Sequence, residues 1–208
     1  ECSYCERIDP DYETCCKINS NLFNEKLPGQ FTYSFWLYIS SFNPGFVDEN
    51  NGQDNLRYWK HVWHRGNSNI ITHDLSDNKN WQNVVQYPGV WLSPGLRDII
   101  FEIHISRDGR LSGMMPPERI QLTIEDYNEW VNYAIVLNNY AVSVYRNGKI
   151  EKTVLIQKYM NNIDEIQDYD IYLGGDVDGN SKDLKADSVI GFPGYLSYLV
   201  YFNESYNP

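Results

Sequence analysis

Phe31, Tyr33, Phe35, Leu37 and Ile39 alternate with Thr32, Ser34, Trp36, Tyr38 and Ser40. A period of two places the first five side chains on one face of a β-strand and the second five on the other. The pattern returns at Ile99, Phe101, Ile103 and Ile105, set against Ile100, Glu102, His104 and Ser106. Asp108-Gly109 then offers the positive φ values of a tight hairpin, with the chain returning through Leu111. Tyr133–Leu137 and Ala141–Arg146 read as strands joined at Asn138-Asn139. Asn147-Gly148 is the strongest turn signal of all, feeding a strand from Lys149 to Ile156. Ile171–Leu173 and Tyr195–Phe202 close the series. No helical stripe competes, since residues 158–167 make at most a turn or two of helix. The polar, turn-rich segment 43–56 reads as an exposed loop. Many short strands with evenly spaced turns predict an all-β antiparallel sandwich.

Size and charge narrow the options. A chain of 208 residues is long enough to bury one sizeable core without a metal or disulfide. It carries 17 Lys and Arg against 28 Asp and Glu, for a net charge of −11. That balance argues against nucleic acid and anionic membrane surfaces, both of which recruit basic residues. Mean hydropathy is low at −0.53, yet 42% hydrophobic and 15% aromatic residues exclude general disorder. No apolar run approaches the ~18 residues of a membrane span. The chain opens on Glu1, so a membrane role is expected only through an anchor or signal outside it.

Several segments also carry a family resemblance. The run from Asn128 through Trp130 to Leu137, followed by Val142–Lys149 with its Tyr145-Arg146-Asn147-Gly148 turn, resembles the central hairpin of laminin-G-like domains. Asp170–Gly175 resembles the next strand of that family, and Gly191–Asn203 its closing strand. Trp59–Asn67 and Pro88–Pro94 resemble a subgroup found in large, nucleocytoplasmic DNA viruses. The resemblance covers residues 30–208, leaving 1–29 as a cysteine-rich N-terminal segment. It implies the concanavalin-A-like jelly roll of the lectin and glucanase superfamily. Lectins, glycosidases, adhesion modules and capsid-associated proteins share that fold, so activity does not follow from it.

Glycoside hydrolysis needs two carboxylates flanking the scissile bond. Family glucanases take theirs from a Glu-x-Asp-x-x-Glu strand. The nearest text here, Glu165-Ile-Gln167-Asp168-Tyr-Asp170, has Gln at the orienting acid and Asp at the acid Glu, and it precedes the predicted strand. No nucleophile elbow, phosphate loop or His-Glu-x-x-His is present. His61 and His64, three apart on a strand, are expected on opposite faces, with His64-Arg65-Gly66 ending a core strand. A non-enzymatic chain is the expectation.

Binding chemistry offers more. Asp176, Asp178, Asn180 and Asp183 place four hard oxygen ligands in a glycine-containing loop suited to calcium, although the spacing is not that of an EF-hand and Asp-Gly-Asn is also ordinary turn chemistry. Cys2, Cys5, Cys15 and Cys16 fit two disulfides, a zinc site or free thiols, with the adjacent second pair favouring disulfides. Trp59, Trp63, Trp81 and Trp91 fit either a sugar-stacking groove or a sandwich core, and Trp59 and Trp63 are expected to share a face with His61 and Arg65. Asn203-Glu204-Ser205 is a glycosylation sequon, relevant in a secretory lumen. Two readings follow. One is a structural or attachment module acting through protein contacts, in its most concrete form a capsid- or membrane-associated virion protein. The other is a calcium-assisted glycan lectin, extracellular or lumenal.

Overall fold

The computed structural model describes residues 16–18, 30–40, 59–66, 86–104, 117–139, 141–156, 169–174 and 192–206. Within them lie eleven strands: β1 (Cys16–Ile18), β2 (Gln30–Ile39), β3 (Lys60–Gly66), β4 (Gln86–Leu92), β5 (Asp98–Ile103), β6 (Glu118–Thr123), β7 (Trp130–Asn138), β8 (Ala141–Arg146), β9 (Lys149–Leu155), β10 (Ile171–Leu173) and β11 (Gly194–Phe202). They form a six-stranded sheet, β1-β10-β3-β4-β5-β6, and a five-stranded sheet, β11-β2-β7-β8-β9. Every pairing is antiparallel. The chain is therefore the all-β two-sheet sandwich that its alternation predicts. The expected loop at 43–56, the Asp108-Gly109 hairpin and the helical turn at 158–167 lie outside the described residues.

Local chemistry accounts for the strands. Phe31, Tyr33, Phe35, Leu37 and Ile39 of β2 are all buried, as are Val131, Tyr133, Ile135 and Leu137 of β7 beside it. Facing them from the other sheet are Val90 and Leu92 of β4, Ile99, Phe101 and Ile103 of β5, and Ile120 and Leu122 of β6. Each such side chain contributes roughly 1.5–3 kcal/mol by leaving water. The β8–β9 hairpin closes at Asn147 (φ 49°) and Gly148 (φ 74°), the left-handed pair that Asn-Gly supplies with little strain.

Two features depart from the alternation. Within the N-terminal segment, Cys16–Ile18 forms β1 on the edge of the six-stranded sheet, with Lys17 opposite Tyr172. In β3, the pairing with β4 shifts between His61 and Trp63, and again between His64 and Gly66. The first bulge turns Trp63 inward between Tyr33 (5.1 Å) and Phe35 (5.5 Å). Arg65 follows it into the interior. Its Nη1 donates to the Tyr33 hydroxyl at 3.1 Å, its Nε donates to the Tyr169 carbonyl, and its guanidinium lies 5.9 Å from the Tyr201 ring centre. Burial pushes the Tyr33 phenol up to about 12, with the Arg65 charge pulling the other way.

Candidate functional site

Each sheet has an outer face, and the two differ. On β2, the side chains opposite the core row are Thr32, Ser34, Trp36 and Tyr38, because successive strand residues alternate. Their neighbours follow from the registers. Trp130 of β7 and Tyr195 of β11 sit opposite Tyr38 on either side, while Asn132 and Ser197 flank Trp36. Three rings thus cross the sheet side by side. The Tyr38 centroid is 5.6 Å from Trp130 and 5.7 Å from Tyr195, with tilted planes. Trp36 is 40% exposed, Trp130 46% and Tyr195 40%. Gly194 makes this row possible, since a Cβ at that position would overlap the Tyr38 carbonyl and the Phe192 ring.

The row is polar only through neutral groups. Asn132 donates its side-chain amide to Ser34 Oγ and to the Phe35 carbonyl, both at 3.2 Å. That leaves its carbonyl oxygen as an acceptor beside Trp36. The strands β2, β7 and β11, of ten, nine and nine residues, contain no Asp, Glu, Lys or Arg, in a chain that is 22% charged.

The far end of the same face is partly covered. Thr32, Ala134 and Val136 are buried. After β11 the chain folds back, and Thr32 Oγ1 donates to the Glu204 carbonyl at 2.9 Å while accepting from the Tyr206 amide at 2.8 Å. Tyr206 stacks on Phe202, with centroids 5.6 Å apart. The C-terminal turn therefore covers the β2 and β7 part of this half, while Val200, Phe202 and Tyr206 at its β11 edge stay exposed and the aromatic half is open. Asn203 of the sequon is exposed at this turn.

The outer face of the six-stranded sheet is buried and titratable. The β3 bulge corrects the expectation that His61 and His64 point apart. His64 Nδ1 lies 2.8 Å from His61 Nε2, and the rings are 4.9 Å apart. His61 Nδ1 is 3.4 Å from the Gly174 carbonyl. A carbonyl only accepts, so His61 carries its proton on Nδ1 and receives one from His64 on Nε2. Burial lowers the His61 pKa to about 3, against the opposing pull of the Gly174 bond. Trp91 packs 4.8 Å from His61 and donates Nε1–H to Gln86 Oε1 at 2.7 Å. Tyr172 stacks on His64, and Glu102 pairs with Arg119. No group of three or more His, Cys, Asp or Glu among the described residues is arranged to hold a metal.

The structure sorts the residues singled out by sequence. Trp63 and Trp91 are fully buried, one in the core and one in the His61 layer, so neither offers a ring face to a sugar. Trp59 is partly buried just before β3, and the bulge separates Trp63 and Arg65 from His61. Cys16 is placed by its backbone in β1. Cys2, Cys5, Cys15, Trp81 and the loop with Asp176, Asp178, Asn180 and Asp183 lie outside the described residues, as do Glu165, Gln167 and Asp168. Trp36, Tyr38, Trp130 and Tyr195 were not among the candidates. The run of three strands without a charge was the signal that pointed to them.

A two-sheet antiparallel sandwich with one sheet face open and aromatic is the class these observations define. Solved binding domains of that fold resemble it. The botulinum neurotoxin serotype G binding domain matches with a TM-score of 0.51 and 16% identity, over 86% of this chain and 34% of that one. The binding domain of botulinum neurotoxin DC, in complex with rat synaptotagmin II, matches at 0.51 and 12%, over 90% and 35%. A structure of botulinum neurotoxin type C, whose cell entry is described as dependent upon interaction with two ganglioside molecules, matches at 0.51 and 13%, over 90% and 36%. The chain spans about a third of the length of each, and at these identities the likeness establishes the fold. No family model and no curated protein matches the chain.

Proposed function

We propose that the chain is a non-enzymatic attachment module whose working surface is the open half of the five-stranded sheet. One observation carries this reading: exposed Trp36, Trp130 and Tyr195, with half-buried Tyr38 among them, form an aromatic row on strands without a formal charge. The opposite sides of these strands are locked into the core, so the rings are held in place before any partner arrives. Such preorganisation lowers the entropic cost of binding. Tyr and Trp are also the side chains that supply most contact area per frozen torsion.

Other observations support the reading. The similar solved structures are binding domains, one in complex with a protein and one described with gangliosides, so the fold carries attachment surfaces elsewhere. The glucanase carboxylate pattern is broken at Gln167 and Asp170. The resemblance of 128–149, 170–175 and 191–203 to laminin-G-like domains, and of 59–67 and 88–94 to their viral subgroup, supports a place on the virion of a large DNA virus, against virion proteins or surface glycans.

Flow cytometry with the fluorescently labelled domain tests the proposal. Saturable cell binding is expected, with Trp36→Ala/Trp130→Ala weakening it at least about tenfold while the fold is kept. Equal binding by that variant would contradict the assigned face. Hydrolysis of β-glucans, abolished by Glu165→Gln, would contradict the non-enzymatic reading.

A further inference from the structure

We infer that the open half of the five-stranded sheet is a binding site for a neutral glycan. The inference rests on the attachment reading above and names the chemistry of its target. Three observations converge on it. Trp36, Trp130 and Tyr195 are exposed on a rigid sheet, where the C–H face of a pyranose can stack on the electron-rich face of a ring. Beside Trp36, Asn132 spends its amide hydrogens on Ser34 and Phe35, which orients its carbonyl as an acceptor for a sugar hydroxyl.

Charge selects the glycan class. Strands β2, β7 and β11 offer no Lys or Arg to hold a carboxylate or sulfate, and the chain as a whole carries −11. Sialylated and sulfated glycans are thus repelled at long range and find no counter-charge on these three strands. A neutral oligosaccharide meets neither penalty. Calcium has no part in this site, since its residues supply one neutral carbonyl and no carboxylate.

The test combines an array of neutral, sialylated and sulfated glycans with the cell-binding assay, using the whole chain with and without a calcium chelator. Signals on neutral glycans are expected, unaffected by chelation and weakened about tenfold or more in Trp130→Ala. Leu155→Ala removes an exposed apolar side chain on β9, away from the row, and should keep full signal. Circular dichroism of both variants confirms the fold. Periodate oxidation of the cells should abolish binding. A silent array, with cell binding that survives periodate yet is lost in Trp130→Ala, would overturn the glycan inference and leave the attachment module standing. Signals confined to sialylated or sulfated glycans, or abolished by chelation, would also overturn it. A folded domain that binds neither array nor cells would overturn both readings.

Discussion

The two outer faces of this sandwich invert the usual expectation about where polar and apolar groups belong. On the five-stranded sheet, Trp36, Trp130 and Tyr195 stand in water on strands with no charge. On the six-stranded sheet, His61, His64, Gln86 and Glu102 are fully buried. Burying polar groups is tolerated only where they bond to one another. The His61–His64 bond, the Gln86 Oε1–Trp91 bond and the Glu102–Arg119 pair meet that requirement, while Gln86 Nε2 has no partner among the described residues. Exposed aromatics need no such compensation, but they leave apolar area for a ligand to cover. One face is therefore structural and the other is available for recognition.

Equal truncations on the two faces give the largest contrast. Trp91→Ala should cost about 3–5 kcal/mol, because it empties a buried site and strands Gln86 Oε1. Trp130→Ala should cost under about 1 kcal/mol, as expected of a surface site. Urea denaturation measures both, and similar losses would erase the distinction. Next in size, Arg119→Ala leaves Glu102 buried without its cation, at about 2–3 kcal/mol. Adding Glu102→Gln should recover much of that loss in a double-mutant cycle.

Acid should act on the buried face through His61. The folded His61 pKa, about 3, lies below its ordinary 6.5, so the unfolded chain takes up the proton first. The stability gained from a neutral His61 is complete above pH 6.5 and is lost as pH falls toward 3, by at most about 1.4 kcal/mol per pH unit. The Tm should therefore fall between pH 7 and 5, and His61→Gln should flatten that slope. An unchanged slope would remove His61 from the account. The smallest effect concerns the border between the partly covered and open halves. Thr32→Val deletes the bonds to Glu204 and Tyr206, at about 0.5–1.5 kcal/mol, and should speed hydrogen exchange at the Tyr206 amide.

The sandwich was legible because its core rows obey a strict period of two, and β2 shows both of its faces in the text. The candidate site was half legible. Trp36 and Tyr38 were correctly placed opposite the core row, but alternation cannot say whether a second face is covered. That depends on a turn at 203–206 meeting Thr32, 172 residues away in sequence at Glu204. Trp59, Trp63, Trp81 and Trp91 were grouped by nearness along the chain, and strand faces do not respect nearness. The histidine pair was hidden for a different reason: a single bulge in β3 resets the alternation, and nothing in Lys60–Gly66 marks it.

The most direct measurement follows the indole N–H signals of the six Trp residues by two-dimensional NMR while the neutral oligosaccharide strongest on the array is added. Shifts concentrated at Trp36 and Trp130, with Trp63 and Trp91 unmoved, are the predicted result. Saturable binding that leaves Trp36 and Trp130 unmoved would contradict the assignment of the open sheet face as the working surface.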